Sequence, residues 1–314
     1  MGAVPLPLVQ LPAQEILDAS IKRGLCRVKA ECVDAPALLA FWHLASFDAP
    51  TVALVWSLAF AWTAAVHLPL WTPILLVLMA WSVYIGDRLM DARFALRAGQ
   101  LNRLRERHHF HWRHRHLLIP MATVAVAAAI TIILAAMPLR ALAPNSLLGA
   151  TALAYFSGVH AKRKLPRLAP KEFLVGVIFT AGCALPAWIA LRARVVPAAE
   201  SWLFPATAIY FAVVAWLNCH AIASWESDQP RVAGSSSVLS WGAAVALAGL
   251  LLAGTALAVD SRWTALLIAG AASAMLLALL DFVRDRLTPL ALRAAADFVL
   301  LTPAVVLPLA HWLA

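Results

Sequence analysis

The feature that most constrains the fold is a series of nine long apolar segments that together occupy most of the 314-residue chain. A helix needs about 20 mainly apolar residues to cross the hydrocarbon core of a bilayer. Only 13% of the residues are charged, against about 25% in an ordinary soluble protein. We therefore predict an all-α integral membrane protein. The segments are centred on residues 51–68, 71–86, 117–138, 143–160, 172–191, 202–223, 236–259, 263–282 and 294–312.

The basic residues predict how the chain is oriented, because short cytoplasmic loops carry an excess of Lys and Arg. We assign the N-terminal segment and the loops after the second, fourth, sixth and eighth apolar segments to one side. That side then holds all 25 Lys and Arg residues except Arg140, Arg192, Arg194 and Arg262. We therefore predict an odd number of spans, a cytoplasmic N-terminus and an outside C-terminus, in a protein of the bacterial inner membrane.

The chain divides into two parts. Residues 1–46 mix apolar and charged positions and contain no short apolar core followed by a small-residue cleavage site, so they do not form a signal peptide. We predict a cytoplasmic segment in which residues 13–32 are either an interfacial helix on the anionic leaflet or a partly ordered tail. Residues 47–314 form the nine-helix transmembrane domain.

Two pairs of carboxylates stand at the ends of predicted spans. Asp87 and Asp91 in "VYIGDRLMDAR" are four residues apart, so they project from one face of a helix. Glu226 and Asp228 follow the sixth apolar segment in "SWESDQPRVAG". An ionisable group at the bilayer is costly unless it is paired or hydrated or binds a metal ion. Mg²⁺ is a suitable ion, because it takes one or two carboxylates together with waters and phosphate oxygens.

Ion pairing is the alternative explanation for both pairs of carboxylates. The first pair could be neutralised by Arg88 or Arg93, and the second by Arg231. Exposed ion pairs of this kind are frequent and contribute little to stability. The residues by themselves leave both explanations open.

The loop after the second apolar segment, "ARFALRAGQLNRLRERHHFHWRHRH", is basic and rich in histidine, and we predict a cytoplasmic helical hairpin or lid. Its histidine spacings are compatible with a metal site on one helical face. The interleaved arginines oppose a bound cation, however, and we favour a solvated basic surface that contacts phospholipid headgroups. The histidines are His108, His109, His111, His114 and His116.

The first acidic motif resembles that of the UbiA-type intramembrane prenyltransferases, and the resemblance covers most of the chain after residue 46. In that family the second helix ends in N-D-x-x-D-x-x-x-D. "VYIGDRLMD" is similar to it, with Asp87 and Asp91 at the second and third aspartates. Val83 and Tyr84 stand where the family has the asparagine and the first aspartate, so one expected metal ligand is replaced.

Three further stretches support the resemblance. The family's second motif, D-x-E-G-D followed by basic residues and A-G, is similar to "SWESDQPRVAG", in which Glu226 and Asp228 match. Ser224 replaces the leading aspartate, and two extra residues precede Arg231. "LASFDAPTVALVW" resembles the family's entry to helix one, and "KRKLPRLAPKEFLVG" resembles its Lys-Arg loop.

The resemblance implies nine transmembrane helices around a central cavity. It also implies Mg²⁺-dependent transfer of an isoprenyl group from an isoprenyl diphosphate to an aromatic or other hydrophobic acceptor within the membrane. Membrane lipids are the other expected partners, and no nucleic acid is expected because the orientation rule accounts for the positive charge. The implied metal ligands are Asp87, Asp91, Glu226 and Asp228, and the implied diphosphate-binding residues are Lys162, Arg163 and Arg231.

The departures at Tyr84 and Ser224 leave a second hypothesis open, a non-catalytic UbiA-like protein that binds or passes a lipid or a polyprenyl compound. A polytopic transporter is a third. We disfavour it because the sequence shows no charged residue at the centre of a predicted span and no matching pair of broken helices.

Overall fold

The computed structural model describes residues 33–97, 99, 105–160, 171–195, 197–226 and 237–313. Almost all of these residues are helical. In chain order the elements are α1 (Ala37–Leu44), α2 (Asp48–Thr63), α3 (Trp71–Arg97), α4 (Glu106–Arg113), α5 (Arg115–Ala136), α6 (Leu139–His160), α7 (Lys171–Arg192), α8 (Ala198–Glu226), α9 (Ser237–Leu257), α10 (Ser261–Val283), a 3₁₀ turn (Arg284–Arg286), α11 (Pro289–Phe298), a 3₁₀ turn (Val299–Leu301) and α12 (Pro303–Leu313).

Seven helical segments in the described part of the chain are long and apolar enough to cross a membrane: α3, α5, α7, α8, α9, α10 and the α11–α12 run. An eighth results if α1 and α2, which are bent by 88° at their junction, count as one span. The protein is therefore an all-α integral membrane protein. Helix α6 contains the remaining apolar segment, residues 143–160, which was predicted to be a span. The total of nine spans stays a prediction.

Small residues bring the helices close together. A Cβ on Gly242 of α9 would lie 2.8 Å from Cβ of Ala278 on α10, and a Cβ on Gly176 of α7 would lie 2.9 Å from the backbone N of Trp216 on α8. Membrane helices have little hydrophobic drive to associate, so close packing at small residues contributes much of their attraction.

Two spans are interrupted, and each interruption has a local cause. The chain turns between α1 and α2 at Ser46, whose φ of 62° lies in the left-handed region. Asp48 then begins α2, where its carboxylate accepts a hydrogen bond of 2.9 Å from the N–H of Ala49 and interacts favourably with the helix dipole. The last span breaks after Phe298, because Pro303 has no N–H with which to continue a helix begun upstream.

The two ends of the bundle have different chemistry. At one end, which we call the outer end, Arg194 donates hydrogen bonds to the carbonyls of Ala64 and Ala65, and Arg262 lies over the ring of Trp62. At the other end, which we call the polar end, the α1–α2 junction, the last third of α3, α4, the end of α8 and the start of α11 lie together. The candidate site is at the polar end.

Candidate functional site

A buried ionic cluster lies where the two interrupted spans meet. It consists of His43 near the end of α1, Asp48 at the start of α2 and Asp297 near the end of α11. Nδ1 of His43 is 2.7 Å from Oδ2 of Asp48 and 3.3 Å from Oδ2 of Asp297. The side chains of His43 and Asp48 are both 2% exposed, and that of Asp297 is 18% exposed. Charges this deeply buried must be compensated by nearby partners.

Arg88 supplies part of this compensation from α3. Its Nη2 is 3.3 Å from Oδ2 of Asp48, and its Nη1 donates hydrogen bonds to the carbonyl of His43 at 3.0 Å and to Oγ of Ser46 at 2.6 Å. The side chain is 5% exposed. One guanidinium therefore ties α3 to the α1–α2 junction and neutralises one of the two carboxylates.

His111 extends the hydrogen-bond network into α4, and its partners fix its tautomer. Nδ1 lies 2.7 Å from the carbonyl of Arg107, which can only accept, so Nδ1 carries the proton. Nε2 lies 2.9 Å from Oγ of Ser46. A neutral ring with its proton on Nδ1 has a lone pair at Nε2, to which the serine hydroxyl donates while its oxygen accepts from Arg88. The imidazole is neutral in this arrangement.

The surroundings of His111 favour the neutral form. Burial is the largest cause that lowers its pKa, followed by the positive charges of Arg88 and His108. The hydrogen bond to the carbonyl of Arg107 and the charge of Asp48 oppose the shift but do not cancel it. The pKa of His111 is lowered to about 4.

Helix α4 and the residue before it contact acidic residues of two long helices. His108 Nε2 is 3.7 Å from Oδ2 of Asp91 in the last third of α3. Arg105, immediately before α4, pairs with Glu226, the last residue of α8, and Arg293 of α11 pairs with the same carboxylate. The loop predicted to be a helical hairpin or lid therefore contains a short helix, and residues only three positions apart contact Asp91 and Glu226.

Three buried nitrogen atoms at the polar end have no hydrogen-bond partner among the residues that the structure describes: Nε of Arg107, Nε of Arg293 and Nδ1 of His108. Burial, followed by the charges of Arg88 and Arg105, lowers the pKa of Arg107 to about 10, so that it remains charged at neutral pH. The two guanidinium N–H groups, one of them on an arginine that also pairs with Glu226, make this end of the bundle suitable for binding an anion.

The predicted site residues are only partly within the described chain. Asp87 and Asp91 lie on α3, and Glu226 ends α8. Tyr84 lies with its ring 5.8 Å below the guanidinium of Arg88. Asp228, Lys162, Arg163 and Arg231 lie outside the described residues.

The described acids of the two motifs do not form a three-ligand group. Within the ranges that the structure covers, the group of His, Cys, Asp or Glu with ligand atoms within 4.8 Å of one another is His43, Asp48 and Asp297. Arg88, one of the two arginines considered as partners of Asp87 and Asp91, contacts Asp48.

The prediction of a solvated histidine surface is wrong for two residues. His108 and His111 are 7% and 0% exposed, because α4 packs these side chains against α3 and the α1–α2 junction. His109, His114 and His116 are exposed as predicted. Within α4, His108 and His111 are three residues apart and share the buried face, whereas His109 lies on another face; His114 follows α4 and His116 lies in α5.

The sequence motifs do not identify the buried cluster. Asp48 belongs to the stretch that resembles the entry to the first span, and no motif contains His43 or Asp297. A signal was present for Asp297, because it is a carboxylate within the ninth apolar segment and such residues are costly in a membrane.

The fold and the cluster define the class: an all-α integral membrane protein with a buried ionic network at one end of its bundle. Comparison of the chain with protein-family models, with curated proteins and with solved structures found no match.

Proposed function

We propose that the protein is a nine-span, UbiA-like prenyltransferase that transfers an isoprenyl group from an isoprenyl diphosphate to a hydrophobic acceptor within the membrane. One observation carries the proposal. Asp91 in the last third of α3 and Glu226 at the end of α8 both contact the short stretch of chain from Arg105 to His108. The two acidic motifs are therefore at the same end of the bundle, beside cationic donors.

The cations at this end are suited to hold a diphosphate. Nε of Arg107 and Nε of Arg293 are buried donors without acceptors among the described residues. Phosphate oxygens are the acceptors that charged guanidinium groups bind most strongly. Lys162, Arg163 and Arg231, outside the described residues, would add further positive charge.

The acidic residues are compatible with Mg²⁺ in this proposal. Carboxylate oxygens of Asp87 and Asp91 would hold it, and one or two such ligands suffice when phosphate oxygens and waters complete the shell. Asp228 would be a further ligand. Glu226 already has Arg105 and Arg293 as partners, so in addition to contributing a ligand it would orient these two cations. When bound, Mg²⁺ would neutralise charge on the diphosphate.

The reaction breaks the bond between C1 of the isoprenyl group and the diphosphate oxygen. The diphosphate leaves with the electron pair, the acceptor forms a new bond to C1, and the acceptor then loses a proton. Arg107 and Arg293 would stabilise the negative charge on the leaving group. Helix α4, which lies over the polar end, would limit the access of water to the allylic cation.

Binding of farnesyl and geranylgeranyl diphosphate to detergent-purified protein, with Mg²⁺ or with EDTA, tests the proposal. We expect Mg²⁺-dependent binding. The affinity should fall by about tenfold or more in Asp91→Asn and in Arg107→Gln, because each substitution removes about one charged contact. Asp285→Asn is the matched control, because that side chain is 87% exposed near the same end. Binding that is insensitive to metal and to both substitutions would overturn the proposal.

A second candidate function is binding or passage of a lipid or polyprenyl compound without catalysis. The observation that favours it is the pairing of Glu226 with two arginines, which places protein cations where a metal ligand is expected. Incubation of the protein with labelled farnesyl diphosphate and a panel of aromatic acceptors separates the two candidates. Release of diphosphate with a new prenylated product supports the enzyme, and saturable binding without release supports the carrier.

A further inference from the structure

We infer that His43, Asp48 and Asp297 bind a divalent transition-metal ion that links the first, interrupted span to the last one. These residues are separate from the acidic motifs of the proposed reaction, and the inference does not depend on that reaction. It goes beyond the proposed function because it adds a second metal site, with different ligands and a structural role.

The first argument is the arrangement of ligand atoms around His43. Its Nδ1 is 2.7 Å and 3.3 Å from two carboxylate oxygens, yet neither ring nitrogen has a partner in hydrogen-bond geometry among the described residues. A hydrogen bond this short normally has its N–H directed at the acceptor oxygen. A ring nitrogen and carboxylate oxygens this close repel one another unless a proton or a metal ion lies between them, and the poor alignment of the Nδ1–H direction with both oxygens favours a metal ion.

The distances are those of neighbouring ligands around one metal ion. With metal–ligand bonds of about 2.1 Å, adjacent ligand atoms lie about 3.0 Å apart in octahedral geometry and about 3.4 Å apart in tetrahedral geometry. The separations of 2.7 Å and 3.3 Å are close to this range, and all three ligand atoms lie within 4.8 Å of one another.

The second argument is the charge of Asp297. Within the described part of the chain, no Arg or Lys lies at ion-pair distance from this carboxylate; its contacts there are His43 and Asn218. Asp297 belongs to a segment that can span the membrane, where a carboxylate is costly unless its charge is compensated. A single imidazole shared between Asp48 and Asp297 can carry at most one positive charge, whereas a divalent cation would compensate Asp297 as well.

The carboxylates are also held by outer partners, as metal ligands usually are. The N–H of Ala49 donates to Oδ1 of Asp48 at 2.9 Å, and Nδ2 of Asn218 donates to Oδ1 of Asp297 at 3.1 Å. Oδ2 of each carboxylate is then the atom that faces His43. An imidazole nitrogen with two carboxylate oxygens suits Mn²⁺, Fe²⁺ or Zn²⁺ better than Ca²⁺ or Mg²⁺, which prefer oxygen ligands alone.

Metal analysis of the full-length protein tests the inference. The protein is purified in detergent with a tag that contains no histidine, stripped with a chelator, and exposed separately to Mn²⁺, Fe²⁺, Zn²⁺ and Co²⁺ before removal of free metal. We expect stoichiometric binding of one of these ions and a Co²⁺ absorption spectrum that indicates nitrogen and oxygen ligands. A wild-type protein that retains no metal after this treatment would overturn the inference, whatever the variants do.

Variants assign the bound ion to the cluster. His43→Gln and Asp297→Asn should each weaken metal binding by about tenfold or more, and should abolish the rise in melting temperature that bound metal gives the wild type. His109→Gln and Asp285→Asn, at exposed positions, should bind like the wild type. Equal binding in the cluster variants and the controls would place the metal elsewhere and overturn the inference. Because prenyl-diphosphate binding is measured separately, failure of either proposal leaves the other intact.

Discussion

At the scale of single residues, His111 connects the lid helix α4 to the junction of α1 and α2. The proton on Nδ1 points to the carbonyl of Arg107, and Nε2 accepts from Ser46. Protonation at Nε2 would place a second donor against the serine oxygen that Arg88 already contacts. The network therefore depends on a neutral imidazole.

This dependence predicts a loss of stability in mild acid. The pKa of His111 is about 4 in the folded protein and 6.5 in the reference state, so the unfolded chain binds more protons between these values. The stabilisation is complete above pH 6.5 and is lost as the pH falls toward 4, by up to about 3 kcal/mol. The melting temperature in detergent should fall across this window in the wild type and less steeply in His111→Gln. His109→Gln, at an exposed position, should follow the wild type; equal slopes in all three proteins would refute the role of His111.

Ser46 combines an unfavourable backbone conformation with two side-chain hydrogen bonds. Its φ of 62° is unfavourable for any residue with a Cβ, whereas its hydroxyl contacts both Arg88 and His111. Ser46→Ala keeps the strain and removes one hydrogen-bond partner from each of two buried side chains, Arg88 and His111, at a cost of about 1 to 3 kcal/mol. Ser46→Gly loses the hydroxyl but relieves strain of about 1 kcal/mol. Thermal melts should rank wild type above the glycine variant and the glycine variant above the alanine variant, and an alanine variant as stable as the wild type would contradict this account.

At the scale of elements, α4 illustrates a helix that the tertiary structure maintains. It has only eight residues, mostly charged or aromatic, and such a short helix is marginal in isolation. The basic, histidine-rich sequence predicts a cytoplasmic helical hairpin or lid here, and the structure contains a short helix. Which histidines face inward could not be predicted, because that depends on where α4 rests on α3.

The contact between α9 and α10 gives a prediction for helix packing. Gly242→Ala would bring a methyl group to 2.8 Å from Cβ of Ala278 and 3.1 Å from the carbonyl of Ala274, and relief requires the helices to separate. We expect a loss of about 1 to 3 kcal/mol, measured by unfolding in mixed micelles. Gly254→Ala in the same helix, with nothing within 4 Å of the new Cβ, should be neutral or slightly stabilising. A similar loss in both variants would indicate that helix propensity rather than packing is responsible.

At the scale of the whole molecule, the polar end and the outer end should face opposite sides of the membrane. Asp285 is exposed near the polar end, and Val195 is fully exposed near the outer end. In intact bacterial cells, a membrane-impermeant maleimide should label Val195→Cys at once and Asp285→Cys only after permeabilisation. The reverse labelling pattern would show that the orientation is opposite to the predicted one. Labelling of both cysteines in intact cells would exclude a bundle whose two ends lie on opposite sides of the membrane.

The sequence by itself determined the all-α membrane class and the location of most of its long helices, because crossing a bilayer requires a long apolar run and this is a local property of the chain. It also placed Glu226 at a helix end, whereas α3 continues to Arg97, beyond Asp91. Only the tertiary structure decided that His43, Asp48, Arg88 and Asp297, from the first, second and last spans, form one buried network. An apolar side chain can face either lipid or a neighbouring helix, so hydropathy does not specify which helices contact one another. Polar groups that are far apart in sequence therefore meet only when helix packing brings them together.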